Sequence, residues 1–512
     1  MMAIIGSWTS ARSPGSGLEL ARSLRPRRLT AKHLSLLFLT ALTLSAHAVD
    51  HVVLVVWDGL RPDSVNTTHT PTLARLASEG TVFANHHSVY ITATVVNGVA
   101  LATGVYPSRS GVLANREYRP NINPLKSMGT ESVEAILRGD EMSKGRYLEM
   151  PTLAEIVRRA GLKTAISGTK PVVRLFDRTE QDVAISQAKS SSPNTRADDG
   201  TTSQLIDRLW DNGVPPFSLL WLSEPDASQH NAGLGSTNAL DALQGSDRNL
   251  ARVLDKLQEK GVRDKTDVFV VSDHGFSTIT HAVDMVEELK KAGFPAVREF
   301  REPPKFGDIL VVGLGGSVLI YVTDHDALVV KRLVRFLQQQ SFAGVIFTRK
   351  PMPGTFTLDQ ARLNSSHAPD IVVAMRWIDE PNERGIRGLL VSEGGAAPGR
   401  GSHASLSRYD VHNTLIAAGP DFRGGKTNNF PSSNIDLAPT ILSVLGVELP
   451  QRMDGRLLTA YPFGGPRSRT LKASNGNWHQ YLKVTEFGGT LYLDEGNGSS
   501  HVVHKEEKRV SP

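Results

Sequence analysis

The chain contains no cysteine. That excludes disulfides, thiolate metal ligands and lipid attachment through a cysteine, so any metal must be held by nitrogen and oxygen. There is no internal repeat, no coiled-coil heptad pattern and no low-complexity tract, and no apolar run after residue 48 is long enough to span a bilayer. Excess charge is also scarce. The formal net charge is +5, but residues 1–48 hold six Lys or Arg and one acid, which leaves 51 residues of each sign in the remainder. A neutral body gives no support to a nucleic-acid-binding surface.

What the first 48 residues do have is order: a basic stretch, an apolar run from Leu34 to Leu44, then Ala46-His47-Ala48. Positive, apolar and small-x-small in succession predict a secretory signal cut after Ala48, and hence a secreted or periplasmic protein with no membrane span after processing. The 512 residues, 40% hydrophobic and 21% charged, suffice for a large α/β domain plus an insertion.

Five short apolar runs punctuate the chain: HVVLVVW (51–57), FSLLWL (217–222), TDVFVV (266–271), DIVVAM (370–375) and NTLIAAG (413–419). Their length and β-branched content suit strands buried on both faces, as in a parallel sheet. Between them lie helix stripes closed by glycine, at Pro71 to Gly80, Leu153 to Gly161 and Leu243 to Gly261. The alternation predicts an α/β fold, with a doubly wound, mostly parallel central sheet flanked by helices. Residues 49–278 and 400–460 form its expected core, 279–399 an inserted small α+β subdomain, and 461–512 a C-terminal β-hairpin turning near Gly488-Gly489, followed by a tail.

Three of the apolar runs end in ligand-type residues. VVLVVWDG delivers Asp58, LLWLSEPDASQH delivers Asp226 and His230, and VFVVSDHG delivers Asp273 and His274. In an open parallel sheet the carboxyl ends of the strands share one edge, where such folds bind ligands. Asp226 and His230 are four apart and share a face if PDASQH opens a helix. Asp273 and His274 can face one ion only if the strand has already ended, which Gly275 permits. The Gly-rich loop GGAAPGRGSHAS presents His403 as a third imidazole. Carboxylates and imidazoles without sulfur suit Zn²⁺ best, with Mn²⁺ or Fe as alternatives.

Other polar clusters are better read as structural. Asp324-His325-Asp326 precedes a helix and is expected to cap it. The glycines of VVGLGGSV lead into a strand, which argues against dinucleotide binding. His86 and His87 are expected to pack. Residues 91–98, ITATVVNG, admit two readings: a β-branched strand with incidental hydroxyls, or the carrier of an attacking hydroxyl.

Taken in order, WDG, EPDASQH, SDHG and GSH resemble the alkaline phosphatase superfamily, and within it the nucleotide pyrophosphatase/phosphodiesterase branch. ATGVYPSRSG, NIDLAPTILSVLG and DGR extend the resemblance over roughly residues 50–275 and 400–456. The resemblance implies an enzyme with two divalent metal ions, commonly zinc. Asp226, His230 and His403 would hold one; Asp58, Asp273 and His274 would hold the other, with Thr94 bound to it through its hydroxyl. It further implies that Thr94 attacks phosphorus to give a phospho-threonine intermediate, and that Asn97 hydrogen-bonds a phosphoryl oxygen. The substrate would be a small-molecule phosphoester. The family pattern is Thr-Phe-Pro-Asn, whereas Thr94-Val95-Val96-Asn97 lacks the aromatic that packs on a nucleobase. Cleavage of phosphodiester or pyrophosphate bonds is therefore the first expectation, with a phosphomonoesterase or phosphonate hydrolase as the alternative, and a non-catalytic metal-binding module as a third. Arg116, Tyr118 and Arg119, in a charged stretch over 116–150, are candidate substrate readers.

Overall fold

The computed structural model describes residues 49–130, 132–178, 184–185, 195–460 and 462–500. The expected signal segment before its cleavage point and the tail from residue 501 lie outside the described residues.

The central sheet has eight strands: β1 (His51–Trp57), β2 (Thr81–Phe83), β3 (Thr164–Gly168), β4 (Ala184–Ile185), β5 (Phe217–Leu222), β6 (Thr266–Val271), β7 (Leu415–Ala418) and β8 (Lys426–Asn428), in the spatial order β8-β2-β7-β6-β1-β5-β3-β4. All neighbouring pairs are parallel except those made by β7, which runs antiparallel to both β6 and β2. The helices that matter here are α1 (Pro71–Glu79), α2 (Thr94–Thr103), α3 (Leu153–Arg159), α4 (Asp226–Ala232), α5 (Thr237–Glu259) and α6 (Leu437–Val444).

The alternation of β1 shows why its sequence is apolar throughout. Val52, Leu54 and Val56 pack with residues of α2, α3 and α6, such as Val99, Ile156 and Ile441. Val53, Val55 and Trp57 point to the opposite face, against Leu73 and Leu76 of α1 and Leu250 and Leu257 of α5. Side chains of a strand alternate between faces, so a sheet covered on both sides needs apolar residues at every position.

Two of the apolar runs go where the sequence pattern did not point. NTLIAAG supplies β7, inside the central sheet but antiparallel. DIVVAM supplies Ile371–Met375, which belongs to a separate six-stranded sheet ordered Ala296–Val297, Ile309–Gly313, Ser317–Val322, Ile371–Met375, Ala343–Thr348 and Phe356–Thr357. Helices Met285–Lys291 and Ala327–Leu337 pack on that sheet, and Asp326 caps the second by accepting from Leu328 N–H and Val329 N–H. A four-stranded sheet crosses the expected boundary of this region, because Ser277–Val283 pairs with both Arg387–Glu393 and Gly401–Ser402. At the C-terminus, Trp478–Phe487 and Thr490–Ser500 form a hairpin turning at Gly488-Gly489, and Arg467–Asn475 adds a third strand to it.

Residues 91–98 are not a strand. Thr94 opens α2, whose ten residues are all buried. Burial on all sides explains a helix without a charged residue or a polar face, which periodicity alone does not separate from a buried strand.

Candidate active site

Strands β5, β1 and β6 lie side by side, with Trp57 level with Leu222 and Val56 level with Val271. Their carboxyl ends therefore deliver Asp58, Ser223 to Asp226, and Asp273-His274 to one place on the sheet edge. Asp226 starts α4, one turn before His230. Strand β6 ends at Val271, and the chain turns before Asp273. Gly275 is required there for proximity: a Cβ would overlap the Tyr409 carbonyl. His403 follows the short strand Gly401–Ser402, and its backbone carbonyl accepts from Gly316 N–H at 2.8 Å.

The structure gathers these six residues into two groups. Asp226, His230 and His403 form one; Asp58, Asp273 and His274 form the other, with candidate ligand atoms in each group within 4.8 Å of one another. The rings of His274 and His403 stack with centroids 3.7 Å apart, so the groups are neighbours.

Every member has one polar atom tied to the protein and one aimed inward. The three imidazoles donate from Nδ1 to backbone carbonyls: His230 to Gly401 at 3.0 Å, His274 to Gly275 at 2.9 Å and His403 to Thr92 at 2.9 Å. A carbonyl can only accept, so the proton of each neutral ring sits on Nδ1 and the lone pair on Nε2. The carboxylates follow the same rule. Asp273 Oδ1 accepts from Gly59 N–H at 3.0 Å, Asp58 Oδ2 from Trp221 Nε1–H at 3.1 Å, and Asp226 Oδ2 from Lys170 at 2.7 Å. The remaining oxygens, Asp58 Oδ1, Asp226 Oδ1 and Asp273 Oδ2, receive no hydrogen bond although buried. They face imidazole Nε2 atoms instead: Asp226 Oδ1 lies 3.3 Å from His230 and 3.7 Å from His403, and His274 lies 3.2 Å from Asp273 Oδ2 and 3.6 Å from Asp58 Oδ1. Acceptor facing acceptor in a buried place calls for a cation, and nitrogen with oxygen is the donor set of a borderline divalent metal. The residues fit a metal at each group, and the Nδ1 bonds are the outer contacts that orient such ligands.

Electrostatics agree with that geometry. Burial, reinforced by the charge of Asp273, pushes the Asp58 carboxyl well above its ordinary range, and burial lifts Asp273 to about 7. Burial drives His403 well below the usual imidazole value, helped by the like charges of His274 and His230, and lowers His274. Asp226 behaves differently. Burial alone would raise it, but the Lys170 ammonium and then His230 hold it well below the carboxylate range.

Thr94 sits at the first turn of α2 with its Oγ1 3.3 Å from His274 Nε2. Asn97, by contrast, is not free to meet a ligand. Its Oδ1 accepts from Val89 N–H at 2.8 Å and from Asn434 at 2.9 Å, and its amide nitrogen donates to the carbonyls of Val89, Ile91 and Ala93. This corrects the expectation that Asn97 donates to a phosphoryl oxygen: its amide braces the backbone ahead of α2. Asn115 is a second asparagine hydrogen-bonded to the first turn of α2. It is half-buried, its Oδ1 accepts from Val95 N–H at 2.8 Å, and its NH₂ makes no hydrogen bond to a described residue.

Lys170 is the other residue that the pattern of strand ends did not single out. Its Nζ reaches Asp226 Oδ2 and, at 3.3 Å, Asp58 Oδ2. The signal was present, since Thr169-Lys170 follows β3 at the same sheet edge that supplies Asp58. Of the candidate readers, Arg116 is exposed, Tyr118 donates to the Pro124 carbonyl, and Arg119 pairs with Glu117 beneath the Tyr147 ring. Tyr118 and Arg119 also line a cleft of about 1180 Å³, whose walls include neither Thr94 nor any of the six grouped residues. His86 and His87 are buried in hydrogen bonds to Ser432, Asn434 and Asp494, as packing residues should be.

Comparison with known proteins agrees with this geometry. Ectonucleotide pyrophosphatase/phosphodiesterase family member 1 of Homo sapiens is 26% identical over 230 residues, 43% of this chain and 22% of that protein. Family member 3 of Mus musculus is 24% identical over 405 residues, 78% of this chain and 42% of that protein. A venom phosphodiesterase of Naja atra is 23% identical over 243 residues, 45% of this chain and 26% of that protein. The chain thus spans less than half the length of these relatives. Among solved structures, murine ectonucleotide pyrophosphatase/phosphodiesterase 5 shares the fold, with a TM-score of 0.58 and 18% identity over 79% of this chain and 97% of that one. The family model described as type I phosphodiesterase / nucleotide pyrophosphatase matches residues 52–378, and the chain belongs to that family.

Proposed function

We propose that the chain is a metal-dependent hydrolase of phosphoric esters in which the Thr94 hydroxyl attacks phosphorus. The observation that carries this reading is the placement of Thr94: a hydroxyl at a helix N-terminus, beside His274 and next to two groups of ligand-type residues. Two divalent cations, zinc by the chemistry of the donor set, would be held by Asp226, His230 and His403 and by Asp58, Asp273 and His274, and when bound would lower the hydroxyl pKa and neutralise phosphoryl charge.

The residues of the chain supply the rest. As the hydroxyl proton leaves to solvent, Thr94 Oγ1 forms a bond to phosphorus while the ester P–O bond opposite breaks, and the leaving alcohol takes up a proton. Water then attacks the phospho-threonine from the vacated side, the Oγ–P bond breaks, and Thr94 is regenerated. The N-terminal dipole of α2 favours negative charge at Thr94 throughout. Asn115, its amide rotation set by Val95 N–H, offers its NH₂ to a phosphoryl oxygen. The family favours phosphodiester and pyrophosphate bonds as the first substrates. An inactive threonine-to-alanine form of murine family member 5 has been solved in complex with AMP, which supports a threonine in this role. A phosphomonoester is the second reading, favoured by Lys170 and by Val95. Residues 1–48 are read as an export signal; the names of the relatives, an ectoenzyme and a venom enzyme, support a place outside the cytoplasm.

The test is Thr94→Ala on metal-analysed protein with an aryl diester, a nucleotide pyrophosphate and an aryl monoester. Turnover is expected to fall by about a thousandfold or more, with metal content unchanged. Full activity in that variant would remove Thr94 from its role. A wild-type protein that holds metal and turns over none of the three would revive a binding module.

A further inference from the structure

Lys170 stands on the seam between the two groups of ligand-type residues. Its backbone is extended, and the next residue, Pro171, begins a short 3-10 turn, Pro171–Leu175, that fixes the direction in which the side chain leaves. Thr169 anchors the other side, donating its N–H to the Trp221 carbonyl and its hydroxyl to the buried Asp198. From that base Nζ reaches one carboxylate of each group, Asp226 Oδ2 at 2.7 Å and Asp58 Oδ2 at 3.3 Å. The lysine side chain is 25% exposed, whereas both carboxylates are buried.

Orienting a carboxylate here does not in itself require a charge. A neutral donor, Trp221 Nε1–H, already orients Asp58, and Gly59 N–H does the same for Asp273, whereas Asp226 Oδ2 takes its hydrogen bond from Lys170. What the ammonium adds is a fixed positive charge with exposed surface, paired with Asp58, whose other oxygen lies 3.6 Å from the same His274 Nε2 that Thr94 Oγ1 meets at 3.3 Å. A second observation bears on what that charge meets. Val95, where the family pattern has an aromatic ring for a nucleobase, is buried in the core with Val99 and Leu101, so that position offers no platform for a leaving group. Selection then falls on the phosphoryl group itself.

We propose that Lys170 reads the charge of the phosphoryl group, pairing with a non-esterified oxygen so that the site hydrolyses phosphomonoesters as well as diesters. This rests on Thr94 acting at phosphorus as described above. A phosphomonoester carries up to two negative charges on the reacting group and a diester one. A cation at a fixed place therefore stabilises the monoester about twice as much, whatever the remaining charges of the site. In the reaction the Thr94 Oγ–P bond forms and the single ester P–O bond breaks. Water then releases inorganic phosphate, whose charge pairs with Lys170 in the same way.

The experiment compares full-length, metal-loaded wild type with Lys170→Met and Lys170→Arg, reading metal content, inorganic phosphate binding by calorimetry, and kcat/KM for para-nitrophenyl phosphate and bis(para-nitrophenyl) phosphate. Lys170→Met is expected to weaken phosphate binding by about tenfold or more and to lower the monoester-to-diester ratio by at least about tenfold, with Lys170→Arg restoring most of both. Proportional loss on both esters together with loss of metal would overturn the proposal and leave Lys170 as an orienting residue. Unchanged phosphate binding would overturn it as well. If wild type holds metal but cleaves neither ester, the Thr94 reading fails, and the phosphate arm alone still decides whether Lys170 reads the anion.

Discussion

Two asparagines hydrogen-bond to α2 or the chain just ahead of it, and only Asn115 has a donor left to give. The amide of Asn97 is consumed by Val89, Ile91, Ala93 and Asn434, whereas that of Asn115 accepts from Val95 N–H and keeps its NH₂. The expected outcomes separate accordingly. Asn115→Ala should lower kcat/KM by about 10²–10³ with little change in unfolding midpoint. Asn97→Ala should instead lower stability by about 1–3 kcal/mol, since it strands buried backbone groups. Urea denaturation and steady-state kinetics on the two variants check this, and an Asn97 variant of normal stability with crippled turnover would reverse the assignment. The sequence misleads here for a physical reason. Asn97 is three residues from Thr94, and three residues in a helix read as one face. Side chains in a helix lean toward its N-terminus, however, and that of Asn97 reaches the carbonyls ahead of the helix. The partnership of Asn115 with α2 crosses 20 residues of loop and helix, which no local spacing encodes. The three strand-end aspartates were legible because a buried parallel strand announces its own end, and the next residue must lie on the sheet edge.

At the level of elements, the turn after β6 carries the most constraint in the fewest atoms. Gly275 N–H and Phe276 N–H donate to the Asp410 and Tyr409 carbonyls at 2.8 and 2.9 Å, and a Cβ on Gly275 would overlap the second of these. Gly275→Ala is expected to cost about 1–3 kcal/mol, as other intrusions into packed interiors do, and to weaken metal binding by displacing His274. Metal titration beside a denaturant midpoint measures both, and an unaltered variant would show that the turn can shift without moving His274. The elements themselves were read from the sequence unevenly. Strands β1, β5 and β6 and helices α1, α3 and α5 follow from apolar runs, glycine stops and period. DIVVAM and NTLIAAG have the same composition as β1 but take antiparallel places, because direction within a sheet depends on the connections between strands. ITATVVNG is β-branched yet helical, since a helix enclosed on all sides loses the polar face that identifies it.

For the molecule as a whole, two buried imidazoles away from the grouped residues and several buried carboxyls set opposing pH dependences. Burial drives His86 from 6.5 to about 3, and burial together with the nearby His87 drives His412 from 6.5 to about 3. Between those values the unfolded chain binds protons that the folded chain refuses. Their contribution is therefore fully present above about pH 6.5 and is lost as pH falls through the window, by about 1.4 kcal/mol per pH unit for each imidazole. The carboxyls of Asp198, Asp267 and Asp273, raised by burial to about 7, act oppositely and lower stability as pH rises. The imidazole share is read as a difference: the stability advantage of wild type over His412→Gln in urea should be larger at about pH 7 than at about pH 5; a constant difference would refute the assignment. A last consequence belongs to the bonds that aim the inward-facing atoms. Gly59 with Asp273, Trp221 with Asp58, His230 with Gly401 and His403 with Thr92 join residues 163 to 311 positions apart. Each such contact closes a long loop, so its entropic cost is offset only together with the sheet that brings the partners near. A half-folded chain presents imidazoles and carboxylates that aim nowhere in common. A metal held by all six residues would then mark finished copies alone, so ion content would report on the completeness of the fold.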